Sequence, residues 1–131
     1  IVCFDSIGEY SLYCKLIKAS QGLYSVDVHH SVELLPAYGA DKAVNWNVDF
    51  RIRYNDDRLI KPDVYVEFKG DYIHSSSFNR AELLLKYRML YRRLLPGEQL
   101  FVVTNGTGKN LLLNVPTIQP IQLIDYLLGD N

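Results

Sequence analysis

The chain has 131 residues, of which 48% are hydrophobic and 22% charged, with a formal net charge of −1. Such a composition suits one folded domain over residues 1–131; it argues against a disordered tail, a second domain and a chain that binds nucleic acid through overall charge. No apolar run approaches the ~18 residues of a membrane span, and the opening IVCFDSIGEY lacks a basic segment ahead of an apolar one. A cytoplasmic protein with no membrane partner is therefore expected. Cys3 and Cys14 are too few for a disulfide framework, and with His29, His30 and His74 they show no spacing of a zinc site.

From Asp5 to Ser20 the pattern is helical, with Asp5 or Ser6 as N-cap and Gly22 just past the end. Leu12, Leu16 and Ala19 form the apolar stripe, supported by Ile7 and Tyr13, while Glu9 and Lys15 fall elsewhere. Tyr24 to Leu35 alternates, with Val26, Val28, Val32 and Leu34 on one parity and Asp27, His29, Ser31 and Glu33 on the other, which predicts a half-buried strand. A longer alternation follows, in which Val44, Trp46, Val48, Phe50, Ile52 and Tyr54 are apolar and Asn45, Asn47, Asp49, Arg51 and Arg53 polar. This predicts a strand with one wet face. Asn55, Asp56 and Asp57 favour a turn, and Val64, Val66 and Phe68 resume the apolar parity with Tyr65, Glu67 and Lys69 opposite, which makes the two strands a hairpin.

The spacing turns helical from Ser75 to about Leu95, with Leu83, Leu84, Tyr87, Leu90, Tyr91 and Leu94 on one face, and Pro96-Gly97 stops it. Gln99 to Thr104 reads as a short strand, Asn105 to Asn110 as a Gly-rich turn, Leu111 to Val115 as a further strand and Ile118 to Leu128 as a terminal helix. The resulting order is α-β-β-β-α-β with a C-terminal extension, an α+β class with a mixed sheet.

Directly opposed residues of an antiparallel pair share a face, so a loop centred near Arg58 or Leu59 sets Asp49 against Glu67 or Lys69 respectively. In either register the three share one face. A slip by one residue would turn Val64, Val66 and Phe68 to the wet side. Two carboxylates held close together repel unless a divalent cation neutralises both. Their oxygens suit Mg²⁺, with Mn²⁺ able to substitute, and such an ion can hold a scissile phosphate and lower the pKa of an attacking water. Lys69, two residues beyond Glu67, is placed to orient that water and to offset charge on the phosphorane.

The run VDFRIRYNDDRLIKPDVYVEFKG, preceded by the helix FDSIGEYSLYCKLIKA, resembles the core of PD-(D/E)xK nucleases. Closest in pattern are short phage-encoded endonucleases and the end-cutting endonuclease subunit of heteromeric transposases. The matching positions are Ser6 to Glu9, Asp49-Phe50 and Glu67-Phe68-Lys69, and the likeness spans about residues 5–104; the extension from about 105 to 131 lies outside it. The resemblance implies a restriction-endonuclease-like, α/β-sandwich-like fold and a Mg²⁺-dependent endodeoxyribonuclease, with Asp49, Glu67 and Lys69 as catalytic core and Glu9 as a third metal carboxylate. One departure is Val48 in place of the motif's proline. A literal Pro62-Asp63 occurs, but Asp63 would sit roughly 13 Å from Glu67 at an ordinary strand rise.

Glu9 is equally read as an exposed acid of a first helical turn, favoured there by the helix dipole. His29 and His30, adjacent on a strand, face opposite sides and read as structural, with His29 and Glu33 on the parity that reaches a cleft. Arg80, Lys86 and Arg88 on the second helix, and Arg51 and Arg53 on the hairpin, are the candidate DNA contacts; the alternative is a solvated surface. Tyr65 is read either as a stacking platform or as cross-strand packing. The small footprint suggests a homodimer across a duplex. A competing function is a catalytically silent nuclease-fold module that binds nucleic acid or a protein; an RNA-cleaving relative is a third.

Overall fold

The computed structural model describes residues 3–4, 6–56, 61–69, 80–105 and 117–129. Three helices and five strands follow in the order α1 (Ile7–Ser20), β1 (Tyr24–Leu35), β2 (Val44–Tyr54), β3 (Val64–Phe68), α2 (Arg80–Tyr91), β4 (Gln99–Val103), β5 (Thr117–Ile118) and α3 (Pro120–Leu128). The strands form one mixed sheet in sequence order, antiparallel from β1 to β3 and parallel from β3 to β5. The α-β-β-β-α-β order expected from the patterning is thus present, followed by β5 and α3. His74, most of the Gly-rich turn and the strand expected over 111–115 lie outside the described residues. No helix of the described residues is long and apolar enough to cross a membrane.

Helix α1 starts at Ser6, whose hydroxyl accepts from the Glu9 N–H at 3.1 Å. It ends at Gln21 and Gly22, both with positive φ, and the turn is fastened by Ser20 Oγ donating to the Tyr24 carbonyl at 2.6 Å. The buried residues of α1 are Glu9, Leu12, Leu16 and Ser20. Their spacing of i, i+3, i+7 and i+11 is that of one helical face, so Glu9 belongs to the buried stripe rather than falling elsewhere, while Ile7 is exposed.

Helices cover both sides of the sheet. Leu12 and Leu16 of α1 and Leu123 and Leu127 of α3 share a core with Phe50, Ile52, Val64, Val66, Phe68 and Val103. Leu83, Tyr87 and Leu90 of α2 share the other with Leu34, Trp46, Val48, Leu100 and Val102. Tyr91, expected on the buried face of α2, is exposed and stacks on Tyr87 at 6.0 Å.

The two cores overturn the single wet face expected for β2. Phe50 and Ile52 pack on the α1 side but Trp46 and Val48 on the α2 side, although residues two apart normally share a face. β1 changes sides in step: Val26 and Val28 lie against the α1 core, Val32 and Leu34 in or against the α2 core. The alternation therefore slips by one in both strands, between Val28 and Val32 and between Val48 and Phe50. On β1 the slip falls at His29, whose φ of 54° is left-handed and reverses the ordinary strand alternation there.

Candidate metal centre

The slip decides where Asp49 points. In a regular strand Asp49 would face away from Phe50 and α1; instead it stands beside Glu9 of α1 and His29 of β1. One ligand atom from each of Glu9, His29 and Asp49 lies within 4.8 Å of the other two. Gly8 lets α1 come this close, since a Cβ there would meet the Phe68 ring at 2.7 Å.

Glu67, expected as a metal carboxylate, comes up beside Asp49 from β3 but is not one of the three residues whose ligand atoms lie within 4.8 Å of one another. The paired register Phe50↔Val66 and Arg51↔Tyr65 sets Asp49 across from Glu67, the first of the two alternatives left open by the hairpin pattern. The β2–β3 ladder ends at Phe50↔Val66, and beyond it carboxylates take over the backbone donors. The Asp49 N–H donates to Glu67 Oε1 at 3.2 Å, and the Phe68 N–H donates to Asp49 Oδ2 at 2.7 Å. These side-chain bonds satisfy donors that the splayed strands no longer pair, a requirement for buried amides. Lys69 completes the group, its Nζ 3.1 Å from Glu67 Oε2.

All three carboxylates are nearly dry, at 3% exposure for Glu9, 7% for Asp49 and 5% for Glu67. Glu9 is thus no exposed first-turn acid. Burial pushes the Asp49 carboxyl up to about 8, the neighbouring Glu67 and Glu9 charges add to the rise, and the Phe68 N–H opposes it. Lys69 is also mostly shielded, with 17% of its side chain exposed. Among the described residues, three buried carboxyl groups and Lys69 meet here, and a bound dication would favour the ionised form of all three acids.

His29 Nε2 lies 2.7 Å from the Cys3 carbonyl oxygen and 3.5 Å from Glu9 Oε1. Strand parity places His29 opposite Val28, and only the local slip brings both to one side. His30 goes the other way, its ring 6.2 Å from that of Tyr65, and burial and the Arg51 guanidinium lower its pKa. Glu33 is exposed on the far half of β1, where it pairs with Asn45.

No protein-family model, characterised protein or solved structure matches this chain. The geometry therefore has to carry the functional reading by itself.

The candidate DNA contacts are scattered by comparison. Arg51 donates through Nε and an η-nitrogen to Asp63 Oδ2 at 2.9 and 2.6 Å and lies 5.9 Å from the Tyr65 ring centre. Asp63 is thereby engaged with Arg51, away from the carboxylate group. Arg53 pairs with Asp27 at 2.9 Å and Lys86 with Glu82 at 3.0 Å. Arg88 is exposed and with Leu85, Met89 and Arg92 lines a shallow groove of about 190 Å³ on the outer side of α2. Arg80 opens α2, and its side chain lies outside the described residues.

Proposed function

We infer that the protein is a metal-dependent nuclease with a restriction-endonuclease-like core, acting on DNA phosphodiesters. The observation that carries this reading is the meeting of Asp49, Glu67 and Glu9, all buried, at the fork between β2 and β3, with Lys69 bonded to Glu67. Burying like charges together is costly for a purely structural purpose, whereas a divalent ion makes such a group favourable. The PD-(D/E)xK-like spacing of Asp49, Glu67 and Lys69 supports the same chemistry.

In this reading Asp49 and Glu9 would hold the cation, with Glu67 as the carboxylate standing next to Asp49. When bound, the ion supplies Lewis acidity, lowering the pKa of a water and neutralising phosphate charge. Lys69 orients the attacking water through a donated hydrogen bond and meets the charge that builds on the phosphorane. The Phe68 N–H donates to Asp49 Oδ2 and so fixes the orientation of this carboxyl group. Exposed Arg88 on α2, together with Lys86, is the proposed phosphate track, with a homodimer as the assembly that would bring two such sites to a duplex.

The test is incubation of the purified protein with supercoiled, linear, branched and single-stranded DNA in Mg²⁺, Mn²⁺ or EDTA. Cleavage that needs the metal and disappears with Asp49→Asn is expected. Metal-independent DNA binding with no cleavage in either ion would favour a silent binding module instead.

A further inference from the structure

The expectation of Mg²⁺ rests on carboxylates alone, but the group at the β2–β3 fork contains an imidazole. Of the atoms that lie within 4.8 Å of one another, one belongs to His29, and its nitrogen facing Glu9 is Nε2. Resting on the nuclease reading, we propose that His29 is a metal ligand together with Glu9 and Asp49, and that it makes the site select a nitrogen-accepting transition dication, such as Mn²⁺, over Mg²⁺.

Two structural facts support a ligand role. First, His29 is delivered to the group by the paired slip of β1 and β2, the same feature that turns Asp49 toward α1. A regular β1 would place His29 on the opposite side from Val28, away from Glu9. Second, the imidazole joins oxygens from two other elements, so three separate segments converge on one small volume. That is how side-chain metal sites are assembled, and three side-chain donors leave room for waters or a phosphate oxygen in an octahedral shell.

The ligand chemistry then discriminates between ions. Mg²⁺ takes an almost wholly oxygen shell and gives up its waters reluctantly, whereas imidazole binds Mn²⁺ and the later first-row ions better. Coordination through Nε2 requires that its proton move to Nδ1 and that the hydrogen bond to the Cys3 carbonyl be released. The competing role is a plain clamp, in which Nε2–H holds Cys3 and Glu9 in place and no ion touches the ring.

The two roles separate in metal titrations of the whole chain, followed by calorimetry with Mn²⁺ and with Mg²⁺, on wild type, His29→Ala and His29→Gln. Wild type is expected to bind Mn²⁺ at least about tenfold more tightly than Mg²⁺. Both substitutions should weaken Mn²⁺ by about tenfold or more while changing Mg²⁺ by less than about threefold, so the ratio collapses. Electron spin echo spectra of the Mn²⁺ complex should carry the modulation of a directly bound imidazole nitrogen, absent from His29→Gln. A clamp predicts equal losses for both ions and no nitrogen signal in wild type; either that result or a nitrogen signal persisting in His29→Gln overturns the proposal. Should His29→Ala fold poorly, the wild-type spectrum and His29→Gln still decide. If the nitrogen signal is present but DNA is not cut in either ion, the nuclease reading fails and the ligand assignment stands. Cleavage with no nitrogen signal has the reverse meaning.

Discussion

Along β2 and the segment that opens and forms β3, two kinds of charge contact lie close together. At one end Arg51 and Asp63 form a two-point ion pair that is partly open to water; at the other, Asp49 and Glu67 bring two carboxyl groups together almost fully out of water, which disfavours ionising both. The first arrangement is self-compensating and needs nothing from outside. The second loses stability in isolation and makes physical sense with a cation present. The difference favours the fork as the seat of the proposed chemistry, and it can be attacked from either end.

The largest effect is expected at Asp49. Asp49→Asn should reduce cleavage by at least about 10³-fold, on the scale of losing a principal transition-state contact, and stabilise the metal-free protein. The sign follows from the raised pKa: between its ordinary value of 3.8 and about 8 the folded state keeps a proton that the unfolded chain has released. Stability in EDTA is therefore full below about pH 4, falls as pH rises through about 8, and flattens above it. Chemical denaturation across that range should show the fall in wild type and a flatter profile in Asp49→Asn. A wild-type stability that rises over the same window would refute the buried like-charge account.

Lys69 comes next. Strand parity alone makes it a solvated residue whose removal leaves the fold untouched, but its side chain is mostly shielded and bonded to buried Glu67. Lys69→Ala should cut cleavage by about 100-fold or more and also destabilise the metal-free protein by roughly 2 kcal/mol, because a buried carboxylate loses its counter-charge. Saturating metal should recover much of that stability and little of the cleavage. Loss of neither at neutral pH would remove Lys69 from the site.

These two residues also mark what could be read without coordinates. Period-two and helical spacing located α1, β1, β2, β3 and β4 within a few residues, and α2 from Arg80 onward, the expected stretch 75–79 lying outside the described residues, because apolar stripes report which segments must cover one another. The same patterning set Asp49 across from Glu67 or Lys69, and the register Phe50↔Val66 selects Glu67. It missed the slip at His29 and Asp49, since both slipped halves keep apolar residues at even positions and differ only in which core receives them. Hence the pattern predicts one continuous wet face where the wet side changes between the two halves of β2, with Asn45, Asn47 and Arg53 exposed and Asp49 buried. Glu9 carries a signal in the sequence: with Leu12, Leu16 and Ser20 it sits at core spacing on α1. An acid in a buried stripe is informative because burial without a partner is costly. Charge patterning was weakest for the basic residues, as Arg51, Arg53 and Lys86 are each opposed by an acid distant in sequence or one helical turn away.

The smallest effect is expected at Asp63, the literal Pro-Asp of the chain, and it tests the comparison from the compensated end. If Asp63 were the motif aspartate, Asp63→Asn would abolish cleavage as Asp49→Asn does. Its partner, however, is Arg51, which spends two donors on the one Oδ2 atom, and an isolated pair at this degree of exposure is worth about 0.5 to 1 kcal/mol. Asp63→Asn should therefore lower stability by about that amount, with the loss shrinking as salt screens the pair. Metal-dependent cleavage should stay within about twofold of wild type, because the released Arg51 remains on β2, one residue pair away from the carboxylates. The double substitution Arg51→Ala with Asp63→Asn isolates their coupling, which should account for most of the single-variant loss if the pair acts alone. A cleavage defect in Asp63→Asn larger than tenfold, measured where the protein is fully folded, would mean that the two ends of the hairpin are not separable and that Asp63 shares the work now assigned to Asp49.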